Sequence, residues 1–227
     1  MQAIILAAGR GTRMRELTEL TPKPMLKLAG RNLIEHKLDI LPDEIDEVII
    51  VVGYKDHIIK DYFKDKYRDK IIKYAYQKEL LGTAKSVWEA KEFIRDRFIV
   101  MMGDDIYSVD VVNEMIKFDW ALGIQKVEKE KIGAEVVFDE NGHLIDIKES
   151  QKLLKDRYEN IGLYMLDRRF FEYEPVKKSP GAKEYGLPQT ILTAKDDIDI
   201  KIVKSSNWFP LSSPEDLEET EKIAFSC

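Results

Sequence analysis

Cysteine is almost missing from this chain. Cys227 is the only one in 227 residues, so no disulfide can form within it, and a reducing cytoplasm is the expected compartment. Histidine is nearly as scarce, and His36, His57 and His143 lie far apart without metal-ligand spacing. No apolar run nears the roughly 18 residues that suggest a membrane span. The N-terminal apolar stretch Ala3 to Ala8 has no basic region before it and runs at once into glycine, unlike a secretory signal. Glutamine and asparagine number only five each, while Lys, Glu, Asp and Ile abound, as in heat-adapted proteins. The net charge of −6 leaves no general surplus of positive charge for nucleic acid or an anionic membrane. There is also no repeat, low-complexity tract or flexible linker, which predicts one domain over 1–227.

Hydrophobic residues at 44% and charged residues at 34% describe a globular chain with a sizeable core. Its punctuation predicts alternating strands and helices. Ala3 to Ala8 is wholly apolar and ends at Gly9, as in a strand buried on both faces. Asn32, with Glu35 three residues on, predicts a capping box for a helix to about Leu41, its inner side formed by Leu33, Ile34, Leu38 and Leu41. Glu47 to Gly53 reads as a second buried strand, followed by a helix around Ile58 to Phe63. Ile71 to Tyr76 reads as a third strand, with Tyr74 and Tyr76 as ordinary sheet residues. A helix capped by Thr83 is expected to Ile94, and then a strand from Phe98 to Met102 that enters Gly103-Asp104-Asp105. The next helix begins near Ser108, with Asp105 as its cap. Beyond Trp120, strands are expected at 120–127, 134–138, 144–148 and 161–166, with Asn141-Gly142 turning a hairpin. Helices are expected at 185–195 and 214–224, around a strand near 199–204. The pattern predicts an α/β fold, a mostly parallel mixed sheet flanked by helices, which binds ligands beyond the carboxyl ends of its strands.

Charge is unevenly spread. In residues 1–31 six basic residues oppose two acidic ones, a local +4 that leaves −10 on the remaining 196. Leu6-Ala-Ala-Gly-Arg-Gly-Thr-Arg-Met14 sets two glycines, a hydroxyl and two arginines just past the first strand. Glycine lets consecutive backbone N–H groups converge on an anion, and arginine adds a fork matched to phosphate oxygens. No third glycine stands at Met14 and no Gly-Lys-Ser/Thr follows, so neither the dinucleotide fingerprint nor the P-loop is met. Taken alone, Gly9-Arg-Gly11 also fits an ordinary tight turn. Lys23 is held between Pro22 and Pro24, and Asp104 follows an apolar strand at a place suited to a Mg²⁺-binding carboxylate.

Together these segments resemble the sugar-1-phosphate nucleotidylyltransferase family, whose signature is similar to Leu6 through Arg13 followed by Pro22-Lys23-Pro24. The likeness continues through Gly53-Tyr54, Gln77 with Leu81-Gly82-Thr83-Ala84, Gly103-Asp104, Gly133, Glu149, Gly162-Leu163-Tyr164 and Pro214-Glu-Asp-Leu217, covering nearly the whole chain. The resemblance implies a Rossmann-like, glycosyltransferase-A-like fold, with a nucleotide-binding half at 1–118 and a sugar or acceptor half at 119–227. It implies that an NTP (UTP, dTTP or CTP) and a sugar 1-phosphate give an NDP-sugar and pyrophosphate with Mg²⁺. Leu6, Ala8, Gly9, Gly11, Thr12, Arg13, Gln77, Gly82 and Thr83 would hold the nucleotide. Arg13 would face the β and γ phosphates, Lys23 the α-phosphate and the sugar phosphate, and Gln77 with Gly82 the base. Asp104 would bind the metal, and Gly133, Glu149, Gly162 and Glu184 the sugar.

Two departures qualify the match. Glu149-Ser150-Gln151 stands where the family has Glu-Lys-Pro, which leaves Lys148 or Lys152 to replace the lysine. Pro210 replaces the second metal-binding aspartate in Trp208-Phe-Pro-Leu-Ser-Ser-Pro-Glu-Asp-Leu217. The second carboxylate then comes from elsewhere, or phosphate oxygens and water take its place, or activity is lost. Two rival readings therefore stay open: a cytidylyltransferase acting on phosphocholine or inositol 1-phosphate, and a non-catalytic regulatory protein that binds a nucleotide or sugar nucleotide. The chain length predicts no appended acyltransferase, and the sequence leaves a homo-oligomer possible.

Overall fold

The computed structural model describes residues 1–224, so Cys227 lies outside the described residues. In chain order the elements are β1 (Gln2–Leu6), α1 (Leu17–Leu20), β2 (Lys27–Leu28), β3 (Arg31–Asn32), α2 (Leu33–Asp39), β4 (Glu47–Val52), α3 (Asp56–Phe63), β5 (Lys66–Tyr67), β6 (Lys70–Tyr76) and α4 (Thr83–Glu89). They continue with β7 (Phe98–Met102), β8 (Asp105–Tyr107), α5 (Val109–Met115), β9 (Ala121–Lys126), β10 (Lys131–Phe138), β11 (Leu144–Leu153), β12 (Tyr158–Leu166), α6 (Leu187–Leu192), β13 (Lys201–Ser205), β14 (Trp208–Pro210) and α7 (Pro214–Ala224).

One ten-stranded mixed sheet runs β11-β10-β12-β7-β1-β4-β6-β5, with β9 on β12 and β13 on β9. Its centre is parallel: β1 lies between β4 and β7, and β6 continues beyond β4. β12 then runs antiparallel to β7 and joins the hairpin of β10 and β11 to the sheet. Alternation along the strands explains why β1 and β4 are apolar at nearly every position. Ala3, Ile5, Val48, Ile50 and Val52 face one layer, packed with Ile34, Leu38, Ile59, Phe63 and Met115 from α2, α3 and α5. Ile4, Ile49, Val51, Phe98 and Val100 face the other, with Val87, Phe170, Leu187 and Ile191.

The predicted capping box of α2 is present in both directions. The Asn32 side chain accepts from the Glu35 backbone N–H, and the Glu35 carboxylate accepts from the Asn32 N–H, each at 2.9 Å. Thr83, by contrast, is not a cap. Gly82 holds the N-cap position, and the Thr83 hydroxyl accepts instead from the Leu187 N–H at 2.9 Å. That helix ends at Glu89, before a 3₁₀ turn at Lys91–Phe93. Asp105 does not cap α5 either. Ser108 does so, accepting from Val111, while Asp105 opens β8. β10 and β11 extend beyond their expected spans because they pair with each other as far as Lys131 opposite Leu153.

The register brings the working loops to one level. Leu6 at the end of β1 lies opposite Val51 and Met102, and Val52 lies opposite Tyr76. The segments that leave β1, β6 and β7 therefore open on the same rim.

Candidate active site

A cavity of about 490 Å³ opens at that rim. Its walls are Leu6 through Arg13 with Lys23 and Pro24, the Gln77, Leu80, Gly82, Thr83 and Ser86 group, Met102 through Asp104, and Lys178 with Glu184. All the residues assigned to the nucleotide by resemblance line it, as do Lys23, Asp104 and Glu184. Arg10, the first arginine of the glycine segment, lines it too, as do Ser86 and Lys178, which nothing in the motif pattern singled out for the site.

The first wall is a tied loop. Gly11 has φ +64°, and a Cβ there would lie 2.7 Å from Cβ of Lys23, so both its conformation and its closeness to that lysine require glycine. The Thr18 hydroxyl donates to the Gly11 carbonyl at 3.1 Å, and the Tyr54 hydroxyl donates to the Thr18 carbonyl at 3.2 Å. The local +4 then divides by position. Arg15 pairs with Glu215 and Arg31 with Asp39, both away from the cavity. Arg10 and Arg13 are exposed and reach no carboxylate among the described residues. The Arg10 guanidinium lies over the Tyr54 ring, 5.8 Å from its centre. These two forks are the cavity's cations that face no carboxylate among the described residues.

Lys23 is only 5% exposed and sits in a 3₁₀ turn flanked by Pro22. Its Nζ donates to the Asp104 carboxylate at 2.6 Å, and that carboxylate remains 40% exposed. The next residue turns inward. Asp105 accepts from the Trp208 indole N–H at 3.1 Å and from the Tyr107 hydroxyl at 3.4 Å. Burial, with the Asp104 charge added, pushes the Asp105 carboxyl up to about 7. Burial also pushes Lys37, fully enclosed and donating to the Leu33 carbonyl at 3.0 Å, down to about 8. Lys37 follows Leu33 by four residues and so shares the apolar face of α2, the one sequence signal that a charge was buried there.

Pro210 lies directly opposite Asp105 in the pairing of β14 with β8. Among the described residues no group of three or more His, Cys, Asp or Glu could hold a metal. Mg²⁺ is commonly bound by one or two carboxylates together with phosphate oxygens and water. The single half-exposed carboxylate of Asp104, beside a loop shaped for phosphate, fits an ion that arrives with a polyphosphate.

The third wall is built around Gln77, which is 3% exposed. Its amide oxygen accepts from the Ser86 hydroxyl at 2.7 Å, and its amide nitrogen faces the Gly82 carbonyl at 3.4 Å. Gly82 has φ +94°, and a Cβ there would meet the Tyr185 carbonyl at 2.4 Å. Tyr185 is stitched to this loop by its N–H to Leu81 at 2.7 Å and by its carbonyl to the Ala84 N–H at 3.1 Å. The same segment carries Lys178 and Glu184, paired at 2.5 Å on the cavity wall.

Gly133, Glu149 and Gly162 do not line the cavity. A Cβ on Gly133 would lie 2.1 Å from the Glu159 carboxylate, which itself pairs with Lys131. Gly162, at φ +69°, sits where β12 shifts register against β9, behind Met102. Glu149 is half-buried on β11. Lys152 pairs with Glu130 at 2.8 Å and Lys148 is exposed, and neither lines the cavity.

Fold and site together define an α/β protein with a glycine loop and two exposed arginines at the carboxyl edge of a mixed sheet. The profile of the nucleotidyl transferase family matches residues 2–223, and the chain belongs to that family. It is 33% identical over 223 residues to the bifunctional protein GlmU of Methanocaldococcus jannaschii, which covers 98% of this chain and 54% of that protein. It is 29% identical over 232 residues to the UTP–glucose-1-phosphate uridylyltransferase AglF of Haloferax volcanii, covering 98% and 96% respectively. It is 32% identical over 173 residues to the D-glycero-alpha-D-manno-heptose 1-phosphate guanylyltransferase of Campylobacter jejuni, covering 75% and 78%. The chain spans about half the length of the bifunctional relatives it matches. Among solved structures, a Bacillus anthracis protein provisionally assigned as a glucose-1-phosphate thymidylyltransferase, crystallised with sucrose, superimposes with a TM-score of 0.88 at 22% identity. It covers all of this chain and 96% of its own, a likeness of fold. Among the described residues no helix is long and apolar enough to cross a membrane.

Proposed function

We propose that this chain transfers a nucleotidyl group from an NTP to a sugar 1-phosphate, releasing pyrophosphate. The observation that carries this reading is the convergence, in one cavity, of the glycine loop with two unpaired arginines, the Lys23–Asp104 pair and the buried amide of Gln77. An acceptor phosphate oxygen is already anionic, so attack on the α-phosphorus needs no strong base. It needs cations that let two anions meet and that stabilise charge as the α–β bond breaks. Arg13, with Arg10 beside it, receives the β and γ phosphates and then the departing pyrophosphate. Lys23, fixed by its turn, meets the α-phosphate and the incoming phosphate. Asp104 is the residue to hold Mg²⁺, which, when bound, neutralises phosphate charge and orients its oxygens. Lys178 supplies the cation that Ser150 lacks at the acceptor end, and Glu184 accepts from sugar hydroxyls. Gly133, Glu149 and Gly162 form the scaffold behind the sugar subsite. The reading divides the chain at about residue 118 into a nucleotide half and an acceptor half, and it places the protein in the cytoplasm, where its substrates are made.

The test is pyrophosphate release across a panel of NTPs, sugar 1-phosphates and alcohol phosphates in the presence of Mg²⁺. Release with at least one pair is expected. No release with any pair, from protein shown to be folded, contradicts the reading, and release only with CTP and an alcohol phosphate transfers it to the cytidylyltransferase alternative.

A further inference from the structure

We infer that Tyr54 is a positioning residue for the glycine loop: its ring holds the Arg10 guanidinium ready for a phosphate without neutralising it. The inference rests on the cavity being a polyphosphate site and deepens that reading.

Tyr54 does not line the cavity. It stands behind the glycine loop and meets that segment at three points. Its backbone N–H donates to the Ala8 carbonyl at 3.1 Å, just after the chain leaves β1. Its ring lies beneath Arg10 in the middle of the loop, with the guanidinium carbon 5.8 Å from the ring centre. Its hydroxyl donates to the Thr18 carbonyl at 3.2 Å, and the Thr18 hydroxyl donates back to the Gly11 carbonyl at 3.1 Å. One side chain therefore fixes the start, the centre and the far end of the segment that carries the exposed arginines.

The way in which Arg10 is held decides what it can do. An arginine placed by a carboxylate has its charge compensated and part of its fork occupied, as Arg15 is by Glu215 and Arg31 by Asp39. An aromatic face attracts the cation through its quadrupole and leaves the N–H groups at the edge of the guanidinium plane for another partner. Arg10 reaches no carboxylate among the described residues, so its charge and its fork stay open to an anion. Lys55 shares the ring, with its Nζ 5.4 Å from the centre, but it donates to the Glu19 carbonyl and does not line the cavity, whereas Arg10 does. Placing a long, rotamer-rich side chain beforehand removes the cost of ordering it when the ligand arrives, a factor of roughly three to ten in affinity.

Calorimetric binding of inorganic tripolyphosphate with Mg²⁺ tests this in wild type, Tyr54→Phe, Tyr54→Leu, Arg10→Gln and the variant that combines Tyr54→Leu with Arg10→Gln, each shown to be folded. Tyr54→Leu is expected to weaken binding about fivefold, and Tyr54→Phe, which keeps the ring, no more than about twofold. Added to Arg10→Gln, Tyr54→Leu should change affinity by less than about twofold, because the side chain it positions is already gone. Tyr54→Met takes the place of the leucine variant if that one does not fold. Wild-type affinity in Tyr54→Leu or in Arg10→Gln overturns the inference. So does an equal loss from Tyr54→Leu with and without Arg10, which is what a merely structural tyrosine would give, and so does a Tyr54→Phe protein as weak as Tyr54→Leu, which would assign the effect to the hydroxyl. All of these leave the polyphosphate reading standing. Failure of folded wild type to bind tripolyphosphate overturns that reading and this inference with it.

Discussion

The rim around the parallel strands and the hairpin layer beside it handle their unfilled space in opposite ways. Where β1, β6 and β7 end, the chain leaves a cavity with arginines that no carboxylate among the described residues neutralises. In β10 to β12 the chain fills its own gaps: the Glu159 carboxylate covers Gly133, Met102 backs Gly162, and Lys131 and Lys152 are spent on Glu159 and Glu130. Strand direction accounts for the difference. Parallel strands need crossovers, so their carboxyl ends release loops at a common level, whereas antiparallel neighbours pair residue against residue and consume the space a glycine offers. On the proposed reading the nucleotide end is built in advance, and the acceptor end draws on the 174–186 segment, whose Lys178 and Glu184 line the cavity.

Substitutions can break or sharpen that contrast. The largest expected effect is from Lys23→Met, which keeps the bulk but strands Asp104 and removes the cation at the reacting phosphate. A loss of about 10³-fold in kcat/KM with little change in Tm is expected from steady-state kinetics and thermal unfolding. A variant near wild-type activity would move the chemistry elsewhere. Gly82→Ala should come next, at about 3 kcal/mol of stability, because alanine at φ +94° would drive Cβ into the Tyr185 backbone; denaturant unfolding measures it. Gly133→Ala should cost about 2 kcal/mol by pushing Glu159 off Lys131. If that variant instead left stability intact and raised only the KM for the sugar phosphate, Gly133 would belong to an open subsite and the contrast would fail. Lys178→Ala should raise the acceptor KM about tenfold and leave the NTP KM within about twofold, which separates the two ends kinetically.

A pH-dependent effect concerns the junction between the regions. The folded protein holds a proton on Asp105 up to about pH 7, whereas the unfolded chain gives it up near 4, so stability contributed by this group is present below 4 and falls as pH rises to 7. Asp105→Asn, which can still accept from Trp208, should flatten that decline in the stability profile over the range. An unchanged slope would assign the decline to other groups.

What was legible in the sequence follows the same division. The α2 cap could be read because Asn32 and Glu35 are three residues apart, and the glycine loop on the cavity wall because its glycines, cations and strand are contiguous. Thr83 was misread as a cap because the donor that occupies its hydroxyl, Leu187, is 104 residues away. Asp105 was misread for the same reason, since Trp208 lies 103 residues on. Lys178 enters the wall only because Tyr185 hydrogen-bonds to Leu81, a pairing that no local pattern announces. Lys37 alone left a trace, a charge on an otherwise apolar helical face.

The central claim is that one preformed cavity takes the nucleotide in a fixed orientation. A crystal structure with a bound nucleoside-diphosphate sugar tests it most directly. The account predicts the diphosphate against Gly11, Arg13 and Lys23, with the base edge on Gln77 and the sugar toward Lys178 and Glu184. A product bound on another face, or turned so that its base lies away from Gln77, would contradict it.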